Sequence, residues 1–271
     1  MSDRIIGLQD WFDTPPGRYL IAWEREQFES ALSNIFGYHA LQLGLPTLDA
    51  LQANRMPHRW LACQQAREAR ARPVVVLTDF AALPFPDASL DLVVLPHTLD
   101  MHVDPHATLR EVARVLVPEG RVVICGFNPA SLWGLRRRRD RLLRGLRWFA
   151  PFLPLQGQSI GYRRLRDWLH LLDFEIEDGH FGCYRPAVRS EKWLGRFEWL
   201  DRLGRRWWPI FGAAYMLVAV KRVHGMRLLG PAWKSAPQRN GAAVPLARRS
   251  SGDNRVSAAS AEATHQTGTI D

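Results

Sequence analysis

Residues 77–94 read LTDFAALPFPDASLDLVV: the end of an apolar run, an acid at Asp79, a proline-rich turn, and a second apolar run that begins at Leu90. The uninterrupted apolar character of residues 90–95 is that of a strand covered on both faces, and residues 73–77, on the other side of the turn, share it. Pro84 and Pro86 cannot sit in a central strand, so Pro86-Asp87-Ala88-Ser89 is the turn into the second strand, and Asp91 is that strand's first polar residue. Residues 108–116 come next, with Leu109, Val112, Ala113 and Leu116 on one face of a helix that Pro118 and Gly120 bring to an end. Residues 121–126 are again a strand.

Outward from this centre the alternation continues. Residues 39–45 read as a strand, 59–63 as a weaker one, 162–172 as a helix and 174–178 as a strand. Residues 212–223 are the last strand, where Ala214, Met216, Val218 and Val220 alternate with Tyr215, Leu217, Ala219 and Lys221. Strands alternating with helices predict an α/β fold, a mainly parallel sheet with helices on both faces. Residues 1–34 are expected to form a helical cover and 35–223 the domain. In 224–271 periodicity gives way to Gly, Ala, Ser, Pro and Arg, which reads as a disordered tail.

The chain has 271 residues, a net charge of +9 and 46% hydrophobic residues, enough to bury a core and too much for a wholly disordered or collagenous protein. Cys63, Cys125 and Cys183 are odd in number and show no C-x-x-C spacing, which argues against a disulfide framework and fits a reducing, cytoplasmic setting. Asp3, Asp10 and Asp13 interrupt the N-terminus, so no signal peptide is expected. The longest apolar stretch, 207–220, is broken by Pro209 and Gly212, so no membrane span is expected either. The basic charge is concentrated in an insert, 131–166, with ten arginines against one acid, Asp140. There Arg136, Arg137, Arg138, Arg139, Arg141, Arg144 and Arg147 are interleaved with Leu142, Leu143, Leu146, Trp148 and Phe149. This amphipathic basic pattern suits an anionic membrane, nucleic acid or an acidic protein, or is simply a solvated face.

In an open α/β sheet, ligands bind beyond the carboxyl ends of the strands, where the strand order reverses. Asp79 and His97 stand out among the residues at those ends. Residues 77–94, together with the continuation LREVARVLVPEG over 109–120, resemble class I S-adenosylmethionine-dependent methyltransferases of the type 11 group. The resemblance covers about residues 37–127. It implies a Rossmann-like, seven-stranded sheet ending in an antiparallel hairpin, with S-adenosylmethionine as cofactor and an unidentified small molecule as methyl acceptor, for which the aromatic and basic segments suit a lipophilic compound. By that resemblance Asp79 accepts a hydrogen bond from the adenine amino group and Phe80 packs on the base. Asp79 also has a purely local reading, as a turn or cap residue.

The family's first loop carries an acid before Gly-x-Gly-x-Gly. Here the acid's position is Gln42, the first glycine is Gly44, and Pro46 and Leu48 replace the other two. The ribose-binding acid after the second strand is replaced by Gln64 or Gln65, which bond a diol without charge assistance. Pro96 and His97 follow the fourth strand, where substrate meets cofactor, and His97 is the candidate general base. His102 and His106, with Asp100 and Asp104, have a metal-like composition, but Pro105 breaks the helix that would align them, so no metal is expected. Trp193, Trp199, Trp207, Trp208 and Phe197 are expected mostly as core or cover, a minority lining an apolar substrate pocket with Trp133 and Tyr184. The altered first loop keeps a second reading open: a non-catalytic methyltransferase-fold interaction module on a membrane surface or RNA.

Overall fold

The computed structural model describes residues 10–64, 76–143, 152–153 and 157–222. The ends of the chain, residues 65–75 and residues 144–150 lie outside the described residues. So do Gln65, Arg144, Arg147 and the expected tail.

Seven strands form one sheet in the order β3-β2-β1-β4-β5-β7-β6. They are β1 His39–Leu43, β2 His58–Cys63, β3 Val76–Leu77, β4 Leu90–Pro96, β5 Leu116–Phe127, β6 Phe174–Gly182 and β7 Ala214–Lys221. The first five pair in parallel, while β7 runs antiparallel to both β5 and β6. This is the Rossmann-like, mainly parallel sheet with a terminal antiparallel hairpin that the sequence implied. Strand order reverses between β1 and β4, so a crevice opens at their carboxyl ends.

Period-two alternation divides the core into two layers. Leu92, Val94, Val123, Cys125, Met216 and Val218 face one side; Val93, Leu95, Val122, Ile124, Leu217 and Ala219 face the other. The first side is covered by α1, Pro15–Leu32, which Thr14 caps by accepting from the Gly17 amide and which presents Leu20, Phe28 and Leu32. On the second side lie α3, Pro105–Val115, through Leu109 and Val112, and α5, Tyr162–Leu171, through Leu165 and Leu169. Asp104 and Pro105 start α3 three residues before its expected beginning at 108, the carboxylate accepting from the Ala107 amide at 3.0 Å and Pro105 taking the first helical position. Lys221 Nζ closes its end by donating to the carbonyls of Ala113 and Leu116. A short helix, α2, Thr98–Met101, follows β4 directly.

The insert differs from its expected form. In α4, Leu132–Leu142, the inward residues are Trp133, Arg137 and Asp140, and Leu132, Leu135 and Leu142 point outward. Arg137 is buried, donating to Ser159 Oγ and the Gly157 carbonyl, and Arg136 donates to the Ala187 carbonyl while lying over the Phe152 ring. Both are turned toward the body of the protein, whereas Arg138, Arg139 and Arg141 are exposed. The tryptophans of α6, Glu191–Arg196, and α7, Trp199–Trp207, also depart from expectation. Trp193, Trp199, Trp207 and Trp208 are all exposed, because these short helices lie on the rim of the sheet and not over it. Trp133 is instead the buried one, stacked edge-on against Trp11 and Phe152.

Candidate active site

The loop after β1 begins with two left-handed residues, Gly44 at φ +74° and Leu45 at φ +48°. The Gly44 amide donates to the Ala62 carbonyl at 2.7 Å, tying the loop to β2. Gln42, fully buried, fastens the inside. Its Nε2 faces the carbonyls of Gly44, Leu45 and Leu48 at 3.1, 3.0 and 2.8 Å, and its Oε1 accepts from the Ala50 amide at 3.1 Å. This geometry corrects the expectation that Gln42 touches cofactor: its polar atoms are consumed by the loop. An acid here would set lone pairs against three carbonyls, so the amide belongs with a loop whose carbonyls turn inward.

Asp79 lies just past β3, and its side chain is 65% exposed. Its Oδ1 accepts from the Ala81 amide at 3.1 Å and lies 3.4 Å from His102 Nε2. The Ala81 amide, then the His102 ring and the Gln64 amide, hold its carboxyl below the ordinary range, so it is ionised at neutral pH. Local capping and ligand binding are therefore compatible: one oxygen serves the turn and the carboxylate stays open to solvent. Phe80 is buried, and its ring atoms are 3.6 Å from the point where Gly44 would carry a Cβ; Thr98 Oγ1 is equally near that point. Thr98 donates to the Leu43 carbonyl at 2.5 Å. The structure thus gathers Gly44, Gln64, Asp79 and Phe80 at the carboxyl ends of β1, β2 and β3, with His102 added against the Phe80 ring.

Pro96 and His97 are positioned differently. Pro96 is the buried last residue of β4, paired with Cys125, and offers no open surface. His97, at φ +54°, turns its ring inward, where it is 1% exposed. Nε2 donates to Glu24 Oε1 at 2.5 Å, and Nδ1 faces Asp100 Oδ2 at 3.4 Å. Burial opposes charge on the ring, but the Glu24 carboxylate, with help from Asp100, outweighs it and lifts the His97 pKa to about 9. The ring is buried and both of its nitrogens face carboxylates, so this geometry does not present His97 to a substrate as the general base expected from the sequence. Asp100 in turn accepts from the amides of Phe127 and Ile160 and feels the charge of Arg137.

Glu24 escaped the sequence reading, yet a signal existed. Leu20, Glu24, Phe28 and Leu32 follow at i, i+4, i+8 and i+12, which places one acid in the buried stripe of α1. Cys125 Sγ donates to the same Glu24 oxygen at 3.2 Å. Glu24, His97 and Cys125 are a trio of potential metal ligands with donor atoms within 4.8 Å of one another. Glu24 pairs with His97, and Asp100 and Arg137 act on each other electrostatically, so opposite charges already face the two acids there. The metal-like set weighed from sequence is dispersed: His102 lies by Asp79, and His106 packs on Trp168.

Residues 56–124 match the family known as the methyltransferase domain. The uncharacterised Escherichia coli protein YafS is 38% identical over 174 residues, covering 64% of this chain and 67% of that protein. This chain belongs to the class I S-adenosylmethionine-dependent methyltransferases. A demethylmenaquinone methyltransferase from Thermus thermophilus is 34% identical over 148 residues, 54% of this chain and 56% of that protein. An S-adenosylmethionine-dependent methyltransferase from Thermotoga maritima shares the fold, with a TM-score of 0.56 at 16% identity over 79% of this chain and 94% of that one.

The methyltransferase's residues suit the cofactor best at its nucleoside end. An adenine amino group and a ribose diol are hydrogen-bond donors; the Asp79 carboxylate is an exposed acceptor, and Gln64, whose amide donates to it, carries an acceptor oxygen of its own. Gly44, which has no side chain, is the one residue of the first loop that keeps the family's glycine.

Proposed function

We infer that this methyltransferase transfers a methyl group from S-adenosylmethionine to a small, lipophilic acceptor. The observation that carries the reading is the open Asp79 carboxylate just past β3, bonded by Gln64, on the same carboxyl edge of the sheet as Gly44, which follows β1 where strand order reverses. Asp79 would hold the adenine amino group, Gln64 the ribose and Phe80 a face of the base. When bound, S-adenosylmethionine supplies a methyl on a sulfonium, which departs as a neutral thioether once an acceptor lone pair has taken the methyl. The chain's work is then positioning and exclusion of water. The Glu24–His97–Asp100 network binds α1 to the carboxyl ends of β4 and β5, which fixes the floor on the acceptor side. His97 takes no proton in this reading. The name of the Thermus relative, which points to a lipid-soluble quinone, supports a lipophilic acceptor. Cys125 and Cys183, buried as thiols and not joined in a disulfide, support a cytoplasmic setting.

The test is transfer of labelled methyl from S-adenosylmethionine in an extract of the cells that make the protein. Label is expected in the organic-solvent fraction and reduced there, at subsaturating cofactor, when Asp79 is alanine. Label confined to water-soluble products would overturn the lipophilic acceptor, and no label from a folded, cofactor-binding sample would favour the interaction module.

A further inference from the structure

Residues 207–211, Trp-Trp-Pro-Ile-Phe, are all apolar and all exposed, Trp207 at 69% and Phe211 at 56%. A contiguous apolar run of this kind is uncommon on a solvated surface. Here the fold holds it outward. Asn128 Nδ2 donates to the carbonyls of Ile210 and Gly212 at 2.7 and 2.9 Å, and the Tyr184 hydroxyl donates to the Pro209 carbonyl at 2.8 Å. These bonds fix the backbone of the 3₁₀ turn Pro209–Phe211, none of whose side chains is buried among the described residues.

Beside this turn a groove of about 610 Å³ is lined by Trp208 and Phe211 on one wall and by Leu132, Leu135 and Arg138 of α4 on the other. Leu135 is 64% exposed, and Leu142 continues the stripe along the helix. Arginines stand beside both apolar walls: Arg138 and Arg139 on α4, Arg205 and Arg206 just before Trp207, all exposed. Neither segment exposes an acid, since Asp140 is buried and residues 205–211 contain none.

We propose that this face docks reversibly on an anionic lipid bilayer. Tryptophan beside arginine, with leucine, isoleucine and phenylalanine between them, is the side-chain set of an interfacial anchor: indoles at headgroup depth, guanidinium groups on phosphates, aliphatic groups at the acyl boundary. RNA would engage the arginines and stack on the indoles but leave Leu132, Leu135 and Ile210 in water. A second copy would bring like-charged arginines together across a symmetric contact. A bilayer with acidic headgroups satisfies both the charge and the apolar area. Among the described residues no helix is long and apolar enough to cross a membrane, so the contact is peripheral. Pro129–Ser131 of the groove immediately follow β5, so the docked surface lies at the same carboxyl edge of the sheet as Asp79. This docking does not rest on the methyl-transfer reading.

The experiment is co-sedimentation of the full chain with vesicles of phosphatidylcholine alone or mixed with phosphatidylglycerol, at low and high salt. Two variants accompany it: Trp207→Ser with Phe211→Ser, and Arg138, Arg139, Arg205 and Arg206 each changed to Gln. Binding to the anionic vesicles, weakened by salt and at least about tenfold by either variant, is expected. All six side chains are exposed, so circular dichroism and melting of the variants should match the parent. If the serine variant fails to fold, the glutamine variant decides alone. Equal binding to both vesicle types overturns the proposal, as does undiminished binding by a folded variant. A gel shift with bulk RNA that outcompetes anionic vesicles, or a dimer that dissociates in the serine variant while the parent ignores vesicles, also overturns it.

Discussion

Replacing Glu24 by glutamine should remove a pH dependence of stability that the buried His97 pair creates. An unfolded histidine titrates near 6.5, and in the fold Glu24 and Asp100 raise His97 to about 9 against the effect of burial. A folded pKa above the unfolded value means that the stabilisation is fully present below about pH 6.5 and is lost as pH rises through about 9. At about 1.4 kcal/mol per pH unit, the loss is on the order of 3 kcal/mol, a large share of the stability of an ordinary domain. Burial also pushes up the thiols of Cys125 and Cys183, so they too cost stability above the ordinary thiol pKa, and the substitution is needed to isolate the histidine. Glu24→Gln keeps an acceptor for Nε2 but removes the charge. Urea unfolding under reductant at pH 6, 7.5 and 9 is the assay. The parent should lose a few kcal/mol across that range. The variant should start roughly 3–5 kcal/mol less stable at pH 6, the usual cost of breaking a buried pair, and change much less with pH. Identical pH slopes in the two proteins would refute the argument.

Gln42→Glu restores the family's acid but should destabilise the chain by about 2–4 kcal/mol, because a buried carboxylate would face three carbonyls that now receive an amide; thermal melting checks this, and an unchanged melting temperature would mean that the loop rearranges freely. Gly157→Ala should cost more than about 1 kcal/mol, because φ is +84° and the new Cβ would lie 2.0 Å from the Asp100 carbonyl oxygen. A melting temperature unchanged within error would show that the segment gives way without cost.

Much of the sheet was legible because burial on both faces leaves an uninterrupted apolar signature: β4 falls within one residue of its expected span, and β7 announced itself by alternation. The place of Asp79 at a carboxyl strand end was legible because strand ends point to the crevice, while Gln64 was singled out only through the family pattern. Gln42 read as a damaged ligand, since sequence does not reveal which way a loop turns its carbonyls. The His97–Glu24 pair joins residues 73 apart, and the Asn128–Ile210 bond joins residues 82 apart. Composition rules assign tryptophan to the core, whereas the pins on the 3₁₀ turn hold Trp208 and Phe211 outside it. Arg137 looked like one more basic surface residue, but the helical phase it shares with Trp133 and Asp140 carries it inward.

The most direct measurement is isothermal titration of the folded chain with S-adenosylmethionine and with its demethylated product, beside Asp79→Ala. Binding of both ligands is expected, weakened in the variant by roughly 1–3 kcal/mol, the cost of losing a hydrogen bond to a charged group. No binding of either ligand by the folded parent at millimolar concentration would contradict the cofactor site outright, and equal affinities in parent and variant would contradict the place assigned to Asp79 within it.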